Sequence, residues 1–463
     1  MSFASLEFIL FFIVVFAITL ILQKFENNIY KEVFFLIASY FFYGYWDWRF
    51  AFLLLFVSFS AYVSARFIHK KAAIVVGVVI PLIALGFFKY SNFFLSSLSV
   101  LVGGKLGTLN IILPVGISFY TFQALSYVID VKRGKIQAEK NFIRLALYIS
   151  FFPQLVAGPI VKASEFLPQL DEDRQITRKN LECGIQLMLF GFFKKIVIAD
   201  HLSVFVDDVF KMPAAFHWLS IVLAIISYSI QIYFDFSGYS DIAIGCAKCF
   251  GYDFCPNFDL PYLAPNVTDF WHRWHISLST WLREYLYIPL GGNRKGKRRQ
   301  YINLFVTMLL GGLWHGANWT FVLWGALHGL ALCIDKSLPK KASKNRFLNG
   351  IKVISTFLFV SFLWIFFRAD NFMSAWYVIK GIFTLQQGIV QLFSWSFVAI
   401  IAVCSASVLA IYRSKKNKQA RVNSFYPLFK LNTVPGLALL FIEIGLILCL
   451  GFTGEHPFVY FQF

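Results

Sequence analysis

Apolar stretches of about the 20 residues that an α-helix needs to cross ~30 Å of hydrocarbon recur along almost the whole chain, and nothing else in the sequence restricts its fold so much. Inside a bilayer every backbone N–H and C=O has to be bonded within the protein, so only helices and closed barrels span it. The short strands of alternating polarity that mark an outer-membrane barrel are not visible. Charged residues make up 14% of the sequence and hydrophobic ones 58%, whereas soluble domains carry roughly 25% charged residues. The expected fold is an all-α polytopic membrane protein.

Spans are predicted at 3–22, 33–46, 50–68, 73–96, 111–130, 142–160, 181–199, 218–245, 301–333 (broken or paired), 351–368, 394–412 and 433–452. That is roughly 10–12 membrane elements, several interrupted by Pro or Gly as re-entrant segments are. The first stretch has no basic leader region, contains Glu7 and runs into Gln23-Lys24 without a small-residue cleavage site, so it is read as a retained helix. No soluble domain, long linker or internal repeat is visible, and residues 1–463 are read as a single integral-membrane domain.

The net charge of +18 is explained by topology rather than by nucleic acid, because cytoplasmic loops concentrate Lys and Arg. Clusters at 66–71, 132–144, 294–299, 336–346 and 413–421, all read as cytoplasmic, place both chain termini on the extracytoplasmic side. They also make the segment from Tyr301 to Asp335 turn back, since both its ends lie inside. Its apolar part is short for two spans of ~20 residues. Gly311-Gly312 and His315-Gly316 suit a break in the helix there, and a break at that depth calls for a buried polar chamber beside His315. The seven cysteines sit mainly in apolar segments, where a thiol packs as a small hydrophobe. Cys246 and Cys249 form a CxxC that lacks a second ligand pair, so no metal site is expected.

Ionisable side chains at membrane depth cost roughly 2.5–3.5 kcal/mol for Arg, Lys or Asp and are functional candidates by default. Histidine is the cheapest useful one, because burial keeps the imidazole neutral and able to accept a proton. Four of the eight histidines fall at 272, 275, 315 and 328. His272 and His275 share a face with Asp269 if FWHRWHISLSTW is helical, but Trp271, Trp274, Trp281, Arg273, Arg283 and Glu284 make that stretch read as an interfacial amphipathic helix rather than a metal site. His315 lies in GGLWHGANW, with Trp314 and Asn318 beside it. A lone histidine next to tryptophan is more often a core residue; its membrane depth is what favours catalysis. IYFDFSGYSDIA supplies Asp235, Ser237 and Asp241, whose carboxylates need partners that the intervening hydroxyls are suited to provide. The run from Gly291 to Arg299 can bind phosphates through cations and exposed amides, although a topology mark is the simpler reading.

DFWHRWHISLSTWLREYLYIPLGGNRKG followed by TMLLGGLWHGANWTFVLWGALHG closely resembles the signature region, here about 233–335, of bacterial membrane-bound O-acyltransferases. The likeness is to the subgroup that O-acetylates alginate and peptidoglycan. LPVGISFYTFQALSYVIDVKRG, FFPQLVAGPIVKASEFLPQL, YFDFSGYSDIAIG and the terminal PFVYFQF extend it over most of the chain.

The resemblance implies a helical bundle around a central tunnel. It identifies His315 as the catalytic histidine and His275 as the second of the pair, with Asp235, Ser237, Asn318 and Trp314 as tunnel or substrate candidates. His315 would deprotonate the acceptor nucleophile or carry the acetyl group itself, while His275 orients the acyl carbonyl or thioester. Arg294, Lys295, Lys297 and Arg298 would steer an anionic donor. The implied donor is acetyl-CoA, a substrate rather than a bound cofactor. The implied recipient is a polysaccharide reached through an extracytoplasmic SGNH-type partner, and the implied location is the cytoplasmic (inner) membrane, in contact with lipid. Two other readings are a D-alanyl transferase for teichoic acids and a transporter of a lipid-linked sugar or acyl donor that makes no bonds.

Overall fold

The computed structural model describes residues 1–25, 27–104, 107–156, 158–172, 174–338, 345–392, 431–452, 454 and 458–459. The predicted span at 394–412, the basic cluster at 413–421, the middle of the cluster at 336–346, Cys404 and most of the C-terminal match lie outside the described residues. Among the described residues the regular structure is helical, and the extended pairing is an isolated parallel bridge between Phe216 and Ile389. Trp48–Arg66, Lys71–Val102, Trp218–Cys249 and Arg346–Arg368 are long and apolar enough to cross a membrane. Leu6–Leu22, Phe372–Phe383 and Val434–Leu450 are shorter apolar helices.

One compact unit comprises residues 1–188 and 242–254. It contains α1 (Leu6–Leu22), α2 (Ile29–Gly44), α3 (Trp48–Arg66), α4 (Lys71–Leu85), which continues through a π-helical turn at Gly86–Tyr90 into α5 (Ser91–Val102), and then α6 (Ile117–Lys132), α7 (Phe142–Ser150), α8 (Phe152–Leu155) and α9 (Ala163–Asp171). Helix α3 shows how the sequence suits lipid. Phe52, Phe56 and Phe59 are more than half exposed, while Ser58, Ser60 and Ser64 are buried. Large apolar groups face outward and small polar ones face neighbouring helices, as expected where the solvent is hydrocarbon and helices gain by close packing. The Ser58 hydroxyl donates to the Leu54 carbonyl at 2.8 Å, so it is not left unsatisfied.

Two predicted spans differ here. The stretch at 142–160 is not one helix: α7 ends at Ser150 and the four-residue α8 follows. Pro153 is compatible only with the first turn of a new helix, having no N–H to donate further along. The stretch at 111–130 becomes helical only at Ile117, after Gly116 at φ +73°. A Cβ on Gly116 would run into the Leu155 carbonyl, so this turn needs glycine for both conformation and space. Arg144 of α7 bonds Glu32 of α2 at 3.0 Å and Asp171 of α9 at 2.6 Å.

The second unit comprises residues 189–241 and 255–463. Helix α10 (Arg178–Phe192) enters it and continues as a π-helical segment, Phe193–Ala199, into α11 (Asp200–Lys211); α12 (Trp218–Cys249) follows. After α13 (Val267–Arg273) and α14 (Ile276–Leu282) come α15 (Gly296–His315), α16 (Trp319–Ser337), α17 (Arg346–Arg368), α18 (Phe372–Phe383) and α19 (Val434–Leu450). The buried core joins Trp271, Trp274, Trp324, Trp364 and Phe367 with aliphatic residues of α11 and α12.

The segment from Tyr301 to Asp335 turns back as expected, but as two full helices, α15 of 20 residues and α16 of 19. The apolar count came out short because α15 begins inside the basic stretch, at Gly296, so polar residues contribute to its length. The break lies at 316–318, and Gly311-Gly312 stay helical. Their use is close approach: a Cβ on Gly312 would lie 2.9 Å from Gly325 Cα across the hairpin, and one on Gly325 would strike the Met308 carbonyl. Gly325→Leu is therefore expected to force α15 and α16 apart at a cost of about 1–3 kcal/mol or more. Gly350→Leu, at a glycine with open space around it, should leave stability unchanged or slightly improved. Thermal unfolding of both variants in detergent checks the pair; equal midpoints would contradict it.

Candidate active site

FWHRWH is not a single helix. Helix α13 ends at Arg273, Trp274 is extended, and His275 has φ +42° before α14 starts at Ile276. A non-glycine residue held at positive φ costs of order 1–3 kcal/mol and persists only where its surroundings impose it. Asn257 imposes it here. Its carbonyl oxygen Oδ1 lies 3.0 Å from His275 Nδ1, 3.2 Å from the Ser277 backbone N–H and 2.9 Å from Ser277 Oγ. The Asn257 backbone carbonyl also accepts from the Ile276 N–H at 2.9 Å.

The tryptophans of this stretch are core residues, not interfacial anchors. Trp271 and Trp281 are each 7% exposed and Trp274 is fully buried; the broken helix folds the rings of Trp271 and Trp274 into the aromatic core, and Trp281 packs on Tyr285. His272 is exposed. His275 is fully buried, and burial lowers its pKa, since a cation would be poorly solvated there. The edge of Phe236 from α12 packs against it, with ring centroids 4.7 Å apart.

His315 is the last residue of α15 and is 3% exposed. It is held in protein, with the rings of Trp314, Trp324 and Phe367 centred 5.0, 5.1 and 5.4 Å away. The expected polar chamber is thus replaced, on the sides these rings cover, by aromatic wall. Trp314 links the two histidines, its ring centred 6.2 Å from that of His275 and 5.0 Å from that of His315. Helix α12, the turn before α14 and helix α15 thereby bring together Phe236, His275, Trp314 and His315.

The remaining candidates are placed differently. Asn318 caps α16, its Oδ1 accepting from the Thr320 N–H at 3.1 Å and its Nδ2 donating to the Asp370 carbonyl at 2.7 Å. Asp235 does not rely on neighbouring hydroxyls. One oxygen pairs with Lys195 at 2.7 Å and the other accepts from the Val459 N–H at 2.8 Å. Lys195 also pairs with Asp200 at 2.7 Å, and Lys194 pairs with Asp241 at 2.5 Å. The signal for this network was present in FGFFKKIVIAD, two lysines and an aspartate in an apolar run. Ser237 is buried in α12.

Arg294, Lys295, Lys297 and Arg298 are exposed at the start of α15, after a loop in which Gly291 and Gly292 have positive φ. Asn303 Nδ2 fixes that loop by donating to the Gly292 carbonyl at 2.9 Å. His328, fully buried in α16, accepts from Trp271 Nε1 at 3.3 Å and belongs to the aromatic core. Cys246 and Cys249 are both buried in the last turns of α12.

Such an arrangement, paired imidazoles buried in a helical membrane protein, suits transfer of an acyl group away from water. Residues 137–376 match the sequence profile of the MBOAT, membrane-bound O-acyltransferase family. The chain is 42% identical over 401 residues to a Pseudomonas aeruginosa protein named probable alginate O-acetylase, covering 83% of this chain and 75% of that one. It is 38% identical over 403 residues to the peptidoglycan O-acetyltransferase of Helicobacter pylori, covering 79% and 76%. The teichoic acid D-alanyltransferase of Bacillus subtilis is 28% identical over 57% of this chain and 70% of its own length. The chain belongs to the membrane-bound O-acyltransferase family. It is accordingly a membrane protein and an acyltransferase.

Proposed function

We propose that this protein is an O-acetyltransferase of the bacterial cytoplasmic membrane, which takes acetyl from acetyl-CoA on the cytoplasmic side and passes it outward for O-acetylation of a polysaccharide of the alginate or peptidoglycan type. An SGNH-type transferase outside the membrane is the partner that delivers the group. The whole chain acts as one integral-membrane domain, with both termini on the extracytoplasmic side. His315 and His275 are its catalytic side chains.

The observation that carries this reading is the burial of both imidazoles on either side of Trp314. A reactive thioester held there is kept from hydrolysis, and acid–base groups positioned on it contribute typically ~10²–10⁴-fold. The relatives named for O-acetylation match more of the chain, at higher identity, than the D-alanyltransferase does. The exposed cations from Arg294 to Arg298 steer the anionic donor.

Purified protein in vesicles, offered labelled acetyl-CoA and labelled D-alanyl carrier protein in parallel, is expected to consume only the first. Its kcat/KM should fall as salt rises, because attraction between exposed charges is screened beyond ~8–10 Å. Turnover of the carrier protein instead would transfer the chain to the D-alanyl class. Movement of a lipid-linked sugar or acyl donor that persists without both histidines would mark a transporter.

A further inference from the structure

The hydrogen bonds around Asn257 fix which nitrogen of His275 carries hydrogen. The Ser277 backbone N–H can only donate, and it points at the Asn257 atom that faces the imidazole. That atom is therefore the carbonyl oxygen, consistent with the amide nitrogen being directed at Ser240 Oγ, 3.3 Å away. An oxygen 3.0 Å from Nδ1 requires the hydrogen to sit on Nδ1. A neutral imidazole has one ring hydrogen, so Nε2 carries a lone pair. Among the described residues Nε2 is buried with no hydrogen-bond partner. Burying an acceptor unpaired is unfavourable, which makes it a site awaiting a group that brings a hydrogen.

We propose that Asn257 is the positioning residue that presents His275 Nε2 as the hydrogen acceptor for the hydroxyl receiving the acetyl group. This deepens the O-acetyltransferase reading and rests on it. It also reassigns a task. Orienting an acyl carbonyl needs a donor, and a bare Nε2 repels a carbonyl oxygen, so His275 is unsuited to the orienting role that the family resemblance implies. In the transfer step the hydroxyl oxygen bonds to the acetyl carbon while its hydrogen passes to His275 Nε2. The carbon–sulfur bond breaks with its electron pair on sulfur, and the thiolate takes up that proton to leave as free thiol.

Asn257 is suited to this task because it grips the histidine twice, through its side-chain oxygen at Nδ1 and through its backbone carbonyl at the Ile276 N–H. The second grip holds the positive φ of His275 and with it the direction of the ring. Asn257 itself is 1% exposed, so water does not compete for its oxygen.

The test combines kinetics with nitrogen NMR of histidine-labelled protein, the His275 signals being assigned by their loss in His275→Gln. Wild-type His275 is expected as the neutral Nδ1–H tautomer. In Asn257→Leu the ring should shift towards Nε2–H, and kcat should fall about 10–100-fold, the range lost when a metal-bound histidine loses its hydrogen-bond partner, with KM for acetyl-CoA nearly unchanged. Asn257→Asp keeps an acceptor oxygen, so it should retain hydrogen on Nδ1 and recover turnover relative to the leucine variant. An Nε2–H ring in the wild type, or an unchanged ring in Asn257→Leu, would overturn the proposal, as would a change confined to KM. Failure of the acetyltransferase reading would show separately, as wild-type protein that does not consume acetyl-CoA, because the ring spectrum is read without turnover.

Discussion

Replacing His315 with alanine is expected to reduce acetyl-CoA turnover by about 10²–10⁴-fold or more, the range lost when a positioned acid–base group is removed. The ring also fills space between Trp314, Trp324 and Phe367, so alanine leaves a cavity worth several kcal/mol, about 3–5 for a Phe-sized group. His315→Phe separates the two effects. It keeps an aromatic ring of similar size against the same neighbours and removes the nitrogens. Both variants should lose activity, and the phenylalanine variant should keep more of the wild-type thermal stability in detergent. Substantial turnover by a folded His315→Phe protein would remove His315 from the catalytic centre.

Lys195→Met is expected to destabilise the fold by about 3–5 kcal/mol, the usual loss when one partner of a buried ion pair is deleted. The Lys195 side chain is 2% exposed and lies between Asp200, 7% exposed, and Asp235, 1% exposed. Without the ammonium, two buried carboxylates face each other unneutralised. Asp235 also anchors the Val459 N–H, so loosening is expected to reach the C-terminal segment. Adding Asp200→Asn and Asp235→Asn to Lys195→Met should recover a large part of the loss. Neutral amides remove the uncompensated charge, and the amide introduced by Asp235→Asn keeps an oxygen for the Val459 N–H. Equal midpoints for the single and triple variants would contradict this account.

Much of the fold was legible because lipid is a uniform solvent. The long apolar runs at 50–68, 218–245 and 351–368 correspond to α3, α12 and α17 within a few residues at most ends, since a helix is the open-ended way to satisfy backbone groups in hydrocarbon. The structure departs from composition where particular residues override it. Pro153 divides the stretch at 142–160, and residues 296–300 lengthen α15 beyond its apolar count.

At the site, residue type and membrane depth made His315 a candidate, the family resemblance singled out His275 and His315 as a pair, and the basic run from Arg294 was legible as an exposed charged loop. Asn257 carries no such signal in the sequence: an asparagine between Pro256 and Phe258 looks like a turn residue. The two lysines at 194–195 fall inside a predicted span, and their position in an apolar run is the available signal of buried charge.

The sequence by itself determined that the chain is helical, that it belongs in a membrane and which imidazoles are candidates, because these depend on local composition and on the energy of placing backbone and charge in hydrocarbon. Only the tertiary structure decided which groups meet: that Trp314 lies beside both histidines, that Lys195 takes Asp235 out of contention as a free carboxylate, and that Asn257 sets the hydrogen on His275. Hydrogen bonds and ion pairs act over about 3 Å, and contacts between residues far apart along the chain depend on where it turns back. That is fixed by packing, not by the order of residues read along the line.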